Sequence, residues 1–298
     1  MVALTVAALF PAPRAAAAED TEDPFRDVTL ELGYVDHPNR GPMSQVLMDG
    51  IEGLWFAVAD QAARHGLTRF PRTRAFLFVD RDTAARVFDR KLARFPGLAR
   101  PGRFAVVHLR PDRFRKDNIN PIVVLSAHES THIVQYAVGE DVPSSRCIDE
   151  GAAEWFSWQA LDALGRLGSR DRDRRWLWTL GVDDIEPVMD VGTLDGWIRN
   201  LDAHPTALYP ACAAAFSLLM ETGGGPDAYF DYLAARRTRP WRSAFAVSFD
   251  EPYDVFVARL VRYAETDGED FRLPREVAFD AFKARYVDGC AGRLLCIR

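Results

Sequence analysis

The chain has 298 residues, of which 48% are hydrophobic and 27% charged, with a formal net charge of −6. That length and composition predict a globular protein with a sizeable core and exclude a chain dominated by disorder. The acidic balance excludes the broad basic face of a nucleic-acid binder, and no apolar run approaches the roughly 18 residues of a membrane span.

Taken in chain order, the first residues have the three-part look of a targeting segment. Val2 to Phe10 is apolar, Pro11 and Pro13 break it, and Ala15 to Ala18 offers a small-residue cleavage site before Glu19 and Asp20. Residues 1–18 are therefore expected to be a signal peptide, although no Lys or Arg precedes the apolar run. Export to a periplasmic or extracellular compartment would favour disulfides for the four cysteines. Cys290 and Cys296 enclose a short loop and pair most naturally, which leaves Cys147 with Cys212.

Asp27 to Val35 has partial period-2 alternation and predicts a strand, followed by a helix from Ser44 to His65 that stops at Gly66. Thr73 to Val79 predicts an apolar strand, Thr83 to Phe95 a helix ended by Pro96 and Gly97, and Gly102 to Leu109 a further strand. From Pro121 the character becomes helical. One helix runs to about Val138 and Gly139, and a second from about Asp149, read as its N-cap, to about Leu164. Gly165 to Arg175 reads as a solvated polar connection. Later helices are expected over Tyr209–Glu221, Asp227–Arg236, Glu251–Ala264 and Arg275–Tyr286. The expected fold class is α+β, one domain over residues 19–298. A mixed strand and helix lobe (about 26–110) packs on a mainly helical lobe (about 119–298).

His128 and His132 are four residues apart inside the apolar run Ile122 to Val134, so on a helix they project from one face. Two imidazoles so placed can grip one Zn²⁺, and the intervening Glu129 lies where it can act as general base towards an activated water. This is the H-E-x-x-H arrangement. Seventeen residues (133–149) separate His132 from Glu150, enough to finish one helix and pack a second beside it. Glu150 is thus the candidate third ligand, completing a His₂Glu set with one Zn²⁺ per chain. Glu154, one turn further on the same face, could accept the outer N–H of a ligating imidazole. His37, His65 and His108 are lone histidines, read as surface or internally satisfied residues, with His108 a possible lining of the cleft.

The run His128-Glu129-Ser130-Thr131-His132 followed by Asp149-Glu150-Gly151-Ala152-Ala153-Glu154-Trp155 resembles the gluzincins, the zinc peptidase clan that contains thermolysin. It is most similar to bacterial exported peptidase MA-like proteins. Tyr209 to Gly223 is similar to the later Tyr-led, glycine-terminated helix of that family. The resemblance implies a thermolysin-like core with the zinc helix between the lobes. It also implies zinc on His128, His132 and Glu150, Glu129 as base, and Glu154 behind the ligands. It implies a secreted metallopeptidase acting on peptide or protein substrates. The G-x-M-E-N signature of aminopeptidase N-type enzymes is absent before His128, and the thermolysin-type oxyanion histidine has no clear counterpart. Tyr209 and His204 are the candidates for that role, with Tyr209 preferred because it opens a helix and a phenol can donate to an oxyanion. Gly102–Leu109 is expected to be an edge strand able to pair with substrate backbone. The competing expectation is an exported zinc-containing binding or maturation protein with little or no peptidase activity.

Overall fold

A computed structural model of the chain describes residues 23–32, 40–107, 120–142, 144–166 and 208–266. The signal-peptide reading, the Cys290–Cys296 pairing, the Arg275–Tyr286 helix, the polar connection beyond Arg166, and His37, His108 and His204 all lie outside these residues.

The described chain is mainly helical with a small sheet. Its strands are β1 (Val28–Leu32), β2 (Thr73–Phe78), β3 (Gly97–Arg100) and β4 (Arg103–Val107), in the order β1-β2-β4-β3. The pairs β1–β2 and β2–β4 are parallel, and β3 runs antiparallel to β4. Helix α1 (Arg40–Arg64) joins β1 to β2. Side chains of β2 alternate as the pleat dictates: Ala75 and Leu77 enter the main core, while Phe76 and Phe78 enter a second apolar cluster on the opposite face. Both faces are covered, so the strand is a continuous apolar run.

Two details of this region differ from the sequence reading. The expected helix Thr83–Phe95 is two pieces, α2 (Arg81–Val87) and a 3₁₀ turn (Arg90–Ala93). Asp80 caps the first by accepting from the Thr83 amide, and Asp89 starts the second by accepting from the Lys91 amide. A side-chain acceptor inside the segment thus competes with helix propagation and breaks it. The expected strand Gly102–Leu109 is the second arm of a hairpin, with Pro101 and Gly102 at its turn. Because β3 occupies its outer side, β4 is interior, and the sheet edge here belongs to β3.

Helix α3 (Asn120–Gly139) carries both histidines and is packed by α1, β3, β4 and the later helices Arg146–Ala163 and Gly225–Arg236. A helix enclosed in this way is buried nearly all round, and Ile122, Val123, Val124, Ala127, Ile133, Val134 and Val138 supply its apolar contacts. Helix α4 (Arg146–Ala163) packs beside it. Its N-cap is Ser145, so Asp149 lies within the first turn. Asp149 is buried there, accepting from Arg236 Nη1 at 2.9 and 3.1 Å and from the Ser144 hydroxyl. A buried carboxylate needs such partners, and they draw it inward.

Helix α5 (Leu208–Thr222) follows, then α6 (Gly225–Arg236), α7 (Trp241–Phe249) and α8 (Tyr253–Thr266). The expected Glu251–Ala264 helix is α8; α7, short and preceded by Pro240, was not anticipated. One apolar cluster runs from Leu32 to Leu260 and draws on both expected lobes.

Candidate metal centre

The local sequence brings α4 and α5 close together. A Cβ on Gly151 would run into the Cys212 carbonyl oxygen, so only glycine lets α4 and α5 meet there. One turn earlier on α4, Cys147 forms a disulfide with Cys212. The start of α5, with Tyr209, is thereby tied to the helix that carries Glu150. The Tyr209 ring lies with its centroid 6.2 Å from that of His128.

His128, His132 and Glu150 are all buried, and one ligand atom from each lies within 4.8 Å of the others. Both imidazoles turn Nε2 to the same carboxylate oxygen: His128 Nε2 is 3.2 Å and His132 Nε2 3.4 Å from Glu150 Oε2. Their other nitrogens are occupied from behind. His128 Nδ1 lies 3.3 Å from Glu154 Oε1, and His132 Nδ1 lies 2.7 Å from Gln135 Oε1.

Donor and acceptor logic shows what these contacts require. The Asp149 carbonyl oxygen can only accept, so Gln135 Nε2, 2.9 Å from it, must be the donating end of the amide. The same Nε2 also donates to the Tyr229 hydroxyl at 2.8 Å. Gln135 Oε1 therefore faces His132 Nδ1, which carries the proton, and His132 Nε2 presents a lone pair to Glu150. A carboxylate behind His128 Nδ1 sets the same tautomer there. Two lone pairs aimed at one carboxylate oxygen repel, so the group needs positive charge at its centre: a second proton on an imidazole, or a metal cation. Two nitrogens and a carboxylate oxygen, buried and held from behind, fit a metal ion of the kind that imidazole and carboxylate ligands share.

The electrostatics agree. Burial opposes charging His128, but the Glu150 and Glu154 carboxylates outweigh it and hold the imidazole well above its ordinary range. Burial likewise opposes ionising Glu150, yet His132, Arg146 and His128 hold it well below the usual carboxylate range. Glu129 behaves differently. Burial pushes its carboxyl up to about 7, against the pull of His128 and His132. A cation among the ligands would add to that pull. Gly97 at the start of β3 packs directly on Glu129, where a Cβ would collide with Oε1. Among the described residues β3 is the edge strand of the sheet, and it begins beside the Glu129 carboxyl.

Three residues of this centre escaped the sequence reading. Gln135, three positions after His132, is the acceptor behind it; a polar residue in the apolar stretch Ile133 to Val138 was the available signal. Gly97 was read only as a helix stop. Arg146, four residues before Glu150, places Nε 3.2 Å from Glu150 Oε1, the carboxylate oxygen turned away from the histidines. Its i, i+4 spacing from Glu150 was legible. His65 takes no part: its Nε2 lies 3.3 Å from Asp231 and its ring stacks on Phe230. Among the described residues no helix is long and apolar enough to cross a membrane. No family model, curated protein or solved structure matches the chain.

Proposed function

We propose that the chain is a zinc-dependent metallopeptidase of gluzincin type, with a thermolysin-like catalytic core and one Zn²⁺ held by His128, His132 and Glu150. The observation that carries this reading is the convergence of both Nε2 atoms on one Glu150 oxygen, with the Glu129 carboxyl buried in the adjoining helical position. Ligand atoms about 2.0–2.1 Å from a tetrahedral ion stand about 3.3 Å apart. The separations of 3.2 and 3.4 Å match that spacing. A set of three protein ligands suits a catalytic zinc, which keeps one position open, better than a structural one. The Cys147–Cys212 disulfide supports export, since such bonds persist in oxidising compartments.

A bound zinc ion would supply Lewis acidity, lowering the pKa of a water molecule and polarising the scissile carbonyl. Glu129 accepts a proton from the attacking water as its oxygen bonds to the carbonyl carbon, then delivers it to the amine as the C–N bond breaks. Tyr209 donates its phenolic hydrogen to the developing oxyanion. Glu154 and Gln135 keep the imidazole Nδ1 atoms protonated and the rings in register. A peptide or protein substrate would add its backbone to the outer side of β3, the edge strand among the described residues, which begins at Gly97 against Glu129.

The test is metal analysis of the purified protein combined with digestion of a peptide library. Wild type should contain one zinc per chain and cut peptides. Glu129→Gln should keep the zinc and lose activity by about 10²–10⁴-fold. Zinc at full occupancy with no hydrolysis by wild type would favour the exported binding or maturation protein instead.

A further inference from the structure

Along α4, residues 146, 150 and 154 form one stripe at helical spacing. Glu154 reaches His128, Glu150 reaches both histidines, and Arg146 stands at the next turn. The Arg146 side chain is only 23% exposed, and its nearest charge is Glu150 Oε1, 3.2 Å from Nε. Yet its buried Nε donates no aligned hydrogen bond. Arg236, another largely buried arginine at this end of α4, also leaves its Nε unpartnered, but its Nη1 donates to both Asp149 oxygens, whereas Arg146 has only the Glu150 contact. A guanidinium carries five donors in a planar fork, and leaving them unused away from water is costly.

The surroundings say where this fork lies. The positive charge of Arg146 is felt by Glu129, by Tyr136 one turn beyond His132, and by Tyr209. Of these, Glu129 follows His128 directly in the chain, and the Tyr209 ring centroid lies 6.2 Å from that of His128. Glu150 already takes the Nε side of the guanidinium, so the remaining donors suit a planar anion arriving from solvent. Four residues of helix place Arg146 about 6 Å beyond Glu150 along α4. An extended chain advances about 3.3–3.6 Å per residue. A group at Arg146 therefore belongs one or two residues from the bond at the metal.

We propose that Arg146 is a specificity-determining residue that binds a substrate carboxylate, either a free C-terminus or an acidic side chain, within two residues of the scissile bond. This rests on the peptidase reading for the identity of the substrate, but the binding itself can be measured without turnover. The full zinc-loaded chain is titrated calorimetrically with N-acetyl-alanyl-alanine, with its C-terminal amide, and with N-acetyl-aspartyl-alanine amide. Wild type should bind at least one of the two carboxylate ligands about 10-fold or more tightly than the alanyl amide, as charge-assisted bidentate hydrogen bonds imply. The ligand that gains identifies the source of the carboxylate. Arg146→Met should keep its zinc and lose the preference. Arg146→Lys, which retains a positive charge beside Glu150 but not the fork, should keep zinc and most of its loss should be in the same preference. Equal binding of all three ligands by wild type would overturn the proposal. So would undiminished discrimination in Arg146→Met or Arg146→Lys. Loss of zinc in both variants would also overturn it, because Arg146 would then serve only to hold Glu150. Carboxylate-dependent binding without any peptide cleavage would leave this inference standing and remove the peptidase reading.

Discussion

The α3–α4 pair and the α6–α8 region both have buried interiors, but these are built from different materials. In α6 to α8 the interior is aromatic: Tyr232, Phe245, Phe249, Tyr253 and Phe256 contact one another at tilted and edge-on angles. Between α3 and α4 the interior holds His128, Glu129, Thr131, His132, Gln135, Asp149 and Glu150, each less than a tenth exposed. Apolar burial is non-directional and tolerates exchange of shape for shape. Buried polar groups stabilise only when each finds its partner, so they demand one geometry and reveal what that geometry is for. The two regions meet at Gln135–Tyr229 and Asp149–Arg236, where the aromatic side lends hydrogen-bonding groups to the polar one.

This contrast predicts a division of mutational effects. Phe245 is fully buried against Tyr232, Phe249, Tyr253 and Phe256. Phe245→Ala should cost about 3–5 kcal/mol of stability, measured by denaturant unfolding, while the folded fraction still binds metal at wild-type stoichiometry. A Phe245→Ala protein that stays folded but binds no metal would show that the two regions are not separable in this way.

Tyr209 sits at the border of the polar region, and its expected effect is slightly smaller and of another kind. Tyr209→Phe removes one hydroxyl. Loss of an oxyanion donor costs about 2.7–4 kcal/mol, or roughly 10²–10³ in kcat. Because such a donor acts in the transition state, KM, metal content and unfolding midpoint should stay near wild type. The paired variant is His204→Ala: full turnover in Tyr209→Phe with loss in His204→Ala would transfer the role to His204.

How much of this was legible in the sequence follows the same division. Periodicity found α1, α3, α4, α5, α6 and α8, because long helices with an apolar face repeat their signal several times. It missed β3, whose four residues are too few to alternate and whose first residue, Gly97, looks like punctuation. It also ran α2 into the 3₁₀ turn, since Asp89 caps only through a contact that spacing does not announce. The metal group was legible because His128, His132 and Glu150 obey helical spacing and a known ligand chemistry. Asp149 was misplaced as an N-cap because its partner, Arg236, lies 87 residues away. Gln135 was invisible as a site residue for a related reason: its meaning depends on a carbonyl of α4 and a hydroxyl of α6.

Gln135 therefore offers the sharpest test of the polar region. Its amide is fixed by the Asp149 carbonyl and the Tyr229 hydroxyl, and its oxygen holds the His132 Nδ1 proton. Gln135→Leu keeps a similar volume with an apolar side chain, so α3 should still pack, but it removes the acceptor behind His132. The imidazole can then rotate or carry its proton on Nε2, and either change competes with ligation. Metal affinity should fall about 10–100-fold, the usual effect of removing an outer partner of a ligating histidine, as read by competition with a chromophoric chelator. Tyr229→Phe is the informative control. It takes one contact from the amide but leaves the Asp149 carbonyl to hold the donating end in place, so its affinity should remain close to wild type. Equal losses in both variants would mean that the packing around Tyr229 matters rather than the tautomer. An unchanged affinity in Gln135→Leu would mean that His132 needs no support from behind.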